Sequence, residues 1–200
     1  MTIVAETRST PLSMLDEPDV LFVCTGNTCR SPMAAALFAA RLAGSSGAAS
    51  PVHVHSAGLL SDGQPATDHG VKIMARQGLD TSGHRSTKIT AELLAASDLV
   101  VAMAREHVRQ AVVVDPDVWP RIFTLKEIVR RGERRGGPQA GQALSEWLAD
   151  LHRGRRLADL LGDEPADDVA DPVGRSRRAY ARTAAELDDL TRRLAVLLAR

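Results

Sequence analysis

The chain has 200 residues, 44% hydrophobic and 25% charged, which is the composition of an ordinary globular protein long enough to bury a core. Its 25 basic and 25 acidic residues cancel to zero formal charge, which argues against a generally basic nucleic-acid binder. No apolar run is long enough to span a bilayer, and the early acids Glu6, Asp16 and Glu17, with no apolar stretch around them, argue against a secretory signal. The expected setting is cytoplasmic, with no membrane or nucleic-acid partner.

In chain order, residues 1–18 are polar and aperiodic with two prolines, and are expected to form a flexible leader. Val20–Val23 reads as a buried parallel strand. Pro32 suits a first helical position, and the Ala-rich stretch after it predicts a helix to about Leu42, closed near Gly44. Gly44–Ser50 reads as a loop, Val52–His55 as a second strand and Gly58–Gln64 as a loop. Thr67–Gln77 has helical apolar spacing and stops at Gly78, and Thr90–Ala96 is a short helix capped by Thr90. Leu99–Ala102 is a third strand, Arg105–Val113 a helix, Arg121–Leu125 a fourth strand, and Lys126–Arg131 the start of another helix.

The composition then changes. Arg130–Gly141 is rich in Arg and Gly and reads as a solvated loop. Ala143–Leu161 predicts one amphipathic helix burying Leu144, Trp147, Leu148, Leu151, Leu157 and Leu161. Gly162–Arg175 is acidic and turn-rich. Arg177–Arg200 predicts a long last helix with Tyr180, Leu187, Leu190, Leu194 and Leu197 at core spacing. Strands alternating with helices imply an α/β fold with a parallel sheet covered on both faces, and ligand at the carboxyl ends of its strands.

One loop leaves the first strand at that end: Cys24-Thr25-Gly26-Asn27-Thr28-Cys29-Arg30-Ser31. It opens a helix, so its free N–H groups and the positive dipole end converge on one small space that suits an anion. A free cysteine is most often a small buried hydrophobe. Here Cys24 has Gly26 and Asn27, which tolerate the dihedrals of an anion nest, and Arg30, a planar bidentate donor for a phosphate-like oxyanion. A nucleophile and an oxyanion cradle in one loop imply covalent phosphoryl transfer. Ser31 either donates to the Cys24 sulfur or caps the helix, and the two roles are compatible. Cys29 could pair reversibly with Cys24 and protect it from over-oxidation.

A phosphoenzyme also needs an acid for the leaving group. Two Asp-Pro pairs qualify on the residues alone, Asp115-Pro116 and Asp171-Pro172, and both also suit plain turns. The arginines at 130, 131, 134, 135, 153, 155 and 156 form either a solvated surface or a docking patch for acidic partners. His53, His55, His69, His84, His107 and His152 show no metal-ligand spacing, so neither a metal nor a cofactor is expected.

On these residues the chain resembles the low-molecular-weight protein tyrosine phosphatases. The likeness rests on Val23 to Met33, on Ser56-Ala57-Gly58, on the Gly83-His84-Arg85 turn, and on Asp171-Pro172 ahead of the last helix. It spans about Asp19–Leu198, broken by a helical insertion at about 130–168, within one phosphatase domain from 19 to 200. It implies a four-stranded, doubly wound parallel sheet. It also implies Cys24 as nucleophile, with Arg30 and the amides of Thr25, Gly26, Asn27, Thr28 and Cys29 on the phosphate, and Asn27 and Ser56 bracing the loop. Asp171 becomes general acid, then base for water, in place of Asp115.

Two departures bear on substrate. Thr28 stands where tyrosine-specific members usually carry a bulky aliphatic residue. Thr-Gly-Asn-Thr, with Phe123-Thr124-Leu125-Lys126-Glu127 later, is more similar to the protein-arginine phosphatase branch. The aromatic residues usual after Asp-Pro and after Ser-Ala-Gly are replaced by Val173, and by Leu59 and Leu60. The expected activity is hydrolysis of phosphotyrosine or phosphoarginine in protein substrates, with phosphate or another oxyanion in the loop. The alternative is an arsenate reductase of the same fold resolved by a small thiol. A phosphate-binding regulator would suit a missing Cys or Arg, and both are present.

Overall fold

The computed structural model describes residues 18–44 and 52–198. Residues 1–17 of the expected leader, 45–50 of the expected Gly44–Ser50 loop and the last two residues of the expected final helix lie outside them. Four strands form one sheet: β1 (Asp19–Cys24), β2 (His53–Gly58), β3 (Leu99–Ala102) and β4 (Ile122–Thr124). All neighbours are parallel, in the order β2-β1-β3-β4. Alternation along β1 divides the core. Val20, Phe22 and Cys24 face the layer of α1 (Arg30–Ala43), α5 (Leu125–Arg135) and α7 (Arg177–Leu198), while Leu21 and Val23 face that of α3 (Ala91–Ala96) and α4 (Arg105–Val114). α2 (Asp68–Ala75) packs against α7. The doubly wound expectation holds, and all four C-terminal strand ends point one way.

Differences from the expected elements have local causes. α1 begins at Arg30, so Pro32 is its third residue, still in the first turn where no N–H is needed. β2 runs on to Gly58 because Ser56, Ala57 and Gly58 pair with Phe22, Val23 and Cys24. Leu125 starts a helix instead of ending a strand: the Thr124 hydroxyl accepts from Glu127 N at 3.1 Å and caps α5. That helix continues through the expected Arg/Gly loop to Arg135, where Gly136 turns at φ +87°.

The expected helix Ala143–Leu161 is broken. α6 covers Leu144–His152, Gly154 turns at φ +79°, and Leu157–Leu160 is a single 3₁₀ turn. The cause is Arg155, which leaves the helical path to reach the interior. Its guanidinium lies 4.0 Å from the ring centroids of both Trp119 and Phe123 and grips Glu127 with two bonds of 2.8 and 3.0 Å. Trp147, Leu148 and Leu151 are buried as expected, whereas Leu157 and Leu161 are 46% and 72% exposed. The arginine cluster is largely engaged within the chain. Arg130 pairs with Asp167, Arg131 with Glu127, Arg153 with Asp150 and Arg156 with Asp159.

The acidic stretch before α7 is strapped to the sheet. Asp167 binds Arg105 and Arg130, the Asp168 carboxylate accepts from the N–H groups of Arg105 and Glu164, and Val169 N donates to Met103 O at 2.8 Å. Residues 169–171 therefore end beside the loop between β1 and α1.

Candidate active site

That loop, Thr25–Cys29, joins the central strand to the buried N-terminus of α1. Asn27 turns it, with φ +51°, the only positive value at a non-glycine residue among those described. The strain is held in place by a full set of partners. Asn27 Nδ2 donates to Ser31 Oγ at 2.9 Å and to Ser56 Oγ at 2.8 Å. Its Oδ1 accepts from Thr87 N at 2.8 Å, and its carbonyl accepts from His84 Nε2 at 2.6 Å. Asn27 and Ser56 therefore meet as the resemblance implies, and His84 supplies a brace that the sequence reading did not assign. Gly58 is required alongside: a Cβ there would sit 2.7 Å from Asn27 N and 2.9 Å from Gly26 C.

Ser31 lies inside α1, and the helix N-cap is Cys29, so the capping alternative for Ser31 is set aside. Its Oγ is 3.1 Å from Cys24 Sγ and 3.3 Å from Ala57 O. The Asn27 amide occupies one Ser31 lone pair, and the Ser31 proton has two acceptors in reach, Ala57 O and the closer Cys24 sulfur. A hydroxyl turned to the sulfur stabilises it as a leaving group.

Arg30 is buried beneath the loop. Nη1 donates to Val169 O at 3.1 Å; Nη2 donates to Thr25 Oγ1 at 3.1 Å and to Asp171 Oδ2 at 2.6 Å. Asp171 Oδ1 accepts from Val173 N, which holds the half-exposed carboxylate at the mouth of the loop. Asp115, the other candidate acid, accepts from Asp117 N, starts the 3₁₀ turn Pro116–Arg121, and pairs with Arg121. Its work is turn chemistry.

His107, which has no mark in the sequence, also belongs to the site. This side chain of α4 is 1% exposed, and its Nε2 lies 2.9 Å from Thr25 Oγ1. Burial, with Arg30 and Arg109 near, pushes its imidazole down to about 3 and keeps it neutral. Its Nδ1 has no partner. A buried lone pair left alone costs less than a buried N–H, so we assign the proton to Nε2, donating to Thr25. Thr25 Oγ1 then accepts from Arg30 and His107 together, which leaves its own proton available to an oxyanion. A single histidine on an amphipathic helix carries no sequence signal for this role.

The selectivity candidates surround the loop. Thr28 is half-buried, with Oγ1 3.4 Å from where a Gly26 Cβ would stand, and Thr28 O accepts from Thr67 N at 2.8 Å. Leu59 and Leu60 are tied by their N–H groups to Thr25 O, and Leu60 is exposed, as is Val173. Cys24 and Cys29 are both free and buried. Burial, reinforced by the charges of Cys24 and Asp171, pushes the Cys29 thiol up to about 12.

Residues 19–136 match the family model of the low molecular weight phosphotyrosine protein phosphatases. The chain is 34% identical over 178 residues to a protein-arginine-phosphatase of Bacillus subtilis, an alignment covering 88% of this chain and 94% of that one. Among solved structures it is similar to a YwlE mutant of B. subtilis, with a TM-score of 0.66 at 33% identity over 90% of this chain and 97% of the other. It is equally similar to a low molecular weight protein tyrosine phosphatase of T. tengcongensis, also at 0.66 and 33%, covering 89% and 97%.

Proposed function

Because the chain belongs to the low molecular weight phosphotyrosine protein phosphatase family and is a cysteine-dependent protein phosphatase, we propose that it hydrolyses phosphoarginine in preference to phosphotyrosine. The observation that carries this reading is Thr28 in the loop beside an aliphatic mouth. Leu59, Leu60 and Val173 offer no ring to stack on a phenyl group. The half-exposed Asp171 carboxylate already holds one guanidinium, that of Arg30, and the same chemistry accommodates the guanidino leaving group of a phosphoarginine. The full-length likeness to a protein-arginine-phosphatase supports the same preference.

The chemistry follows from the residues. The phosphoryl group enters the nest of N–H groups from Thr25 to Arg30, and Arg30 turns its fork to two phosphoryl oxygens. Cys24 thiolate attacks phosphorus in line with the bond to the leaving nitrogen or oxygen. Asp171 gives that atom its proton as the bond breaks. The product is phosphocysteine. Asp171, now ionised, takes a proton from water, whose oxygen attacks phosphorus; the thiolate departs, stabilised by the Ser31 hydroxyl. Cys29 stands as a reserve thiol for an oxidised Cys24. An arsenate reductase is not favoured, since Asp171 has no comparable task there. A reducing compartment suits two free cysteines, one of them the nucleophile.

Turnover on matched phosphoarginine and phosphotyrosine peptides, with Cys24→Ser as blank, tests the reading. The expected result is a preference for phosphoarginine of about tenfold or more, the scale of one well-placed polar contact. An equal or reversed ratio returns the chain to the tyrosine branch.

A further inference from the structure

The amino end of the sheet, remote from Cys24, carries a second cluster of functional side chains. Asp19 opens β1 and stands in register with His53 of β2. Strand alternation brings His53 and His55 to the same face. His53 Nδ1 lies 2.6 Å from Asp19 Oδ2, His55 Nε2 lies 2.7 Å from Asp19 Oδ1, and the two rings stack at 4.8 Å. The three ligand atoms lie within 4.8 Å of one another. The spacing of the histidines alone shows no site, because the third group comes from a different strand.

We propose that Asp19, His53 and His55 form a binding site for one borderline divalent cation, of the Zn2+ or Ni2+ type. Two imidazoles and one carboxylate suit these ions; Mg2+ and Ca2+ would require oxygen ligands throughout. A tetrahedral ion with bonds of about 2.1 Å spaces its ligand atoms about 3.4 Å apart. Opening the two carboxylate–imidazole contacts by under about 1 Å therefore admits the ion. The parts that must move can move: the His53 side chain is 62% exposed, and that of His55 is 24% exposed. The carboxylate is held firm by its own backbone. Asp19 N donates to Asp98 Oδ2 at 2.8 Å, and Asp19 O accepts from Asp98 N at 2.9 Å. Solvent completes the coordination. The ion would tie β1 to β2 about 16 Å from Cys24, the length of β1, and so leave the phosphate loop free.

The experiment uses the untagged chain carrying Cys24→Ser and Cys29→Ser, so that no thiol can take the ion. Calorimetric titration with Zn2+ alone should show one ion per chain. His53→Ala, at an exposed position that the fold does not need, should weaken binding by about tenfold or more, since even outer partners of ligands are worth that much. Ring-nitrogen resonances of His53 and His55 should shift on titration and those of His69, His84, His107 and His152 should not. Saturable binding that is unchanged in His53→Ala, shifts confined to other histidines, or no saturable binding each overturn the site. In the last case the Asp19 carboxylate serves only as a hydrogen-bond acceptor for two imidazoles.

Discussion

Asp171 Oδ2 sits 2.6 Å from Arg30 Nη2, across 141 positions of sequence. The group assigned to protonate the leaving atom thus rests on the group assigned to bind the phosphoryl oxygens. On this assignment an incoming oxyanion competes with Asp171 for Arg30, and loss of the pair releases Asp171 toward the leaving group.

Asp171→Asn should therefore act in two opposite directions. Inhibition by inorganic phosphate should strengthen, by up to about fivefold, the worth of one partly exposed ion pair. Turnover should fall by about a hundredfold, the scale of losing a general acid. Steady-state kinetics with phosphate as competitor reads both, and an unchanged inhibition constant would show that the pair does not compete with the anion.

His107→Gln should lower kcat about tenfold more than it raises KM, because Thr25, which itself accepts from Arg30, loses its fixed partner under the loop. It should also change acid stability. The imidazole titrates at about 3 in the folded chain against 6.5 unfolded, so its contribution is complete above pH 6.5 and is lost as pH falls toward 3. At pH 5 the loss is about 2 kcal/mol, or roughly 4–8 °C in Tm. Melting curves at pH 7 and pH 5 should show that part of the drop vanish in the variant; an identical drop would mean His107 accepts its proton in the folded protein.

Thr28→Ile should move the activity ratio toward phosphotyrosine by an aliphatic contact of about tenfold. Paired assays on the two phosphopeptides measure it. A ratio that stays fixed removes Thr28 as selector and leaves Leu59, Leu60 and Val173.

Cys29 should resist alkylation. With its thiol at about 12 against 9 for a free one, it offers about a thousandfold less thiolate at pH 8 than it does unfolded. Iodoacetamide followed by peptide mass spectrometry should find Cys29 modified only in denaturant. Equal modification in the folded chain would mean that its burial is transient.

Much of this was legible in the sequence, and the reason is locality. The strand, the turn residues and the helix start that hold Cys24 and Arg30 fall within about a dozen consecutive positions, where backbone rules act directly. The helix ends were less legible because tertiary contacts set them: Arg155 breaks the expected long helix to reach Glu127, and Leu157 and Leu161 lose their core positions with it. His107 was invisible for the same reason. Its partner Thr25 is 82 positions away, and only the pairing of β3 with β1 brings α4 beneath the loop.

The arginines that clasp Asp167 have one further consequence. They anchor the chain after the stretch that follows α5, immediately before the residues that deliver Val169 and Asp171 to Arg30. Whatever the length or shape of the connection upstream, the acid is clamped downstream of it. Since closing a longer loop costs only about 0.6 kcal/mol per doubling, the exposed turns of that connection, outside the buried Trp147, Leu148, Leu151 and Arg155, are free to lengthen or shorten while catalysis keeps its geometry.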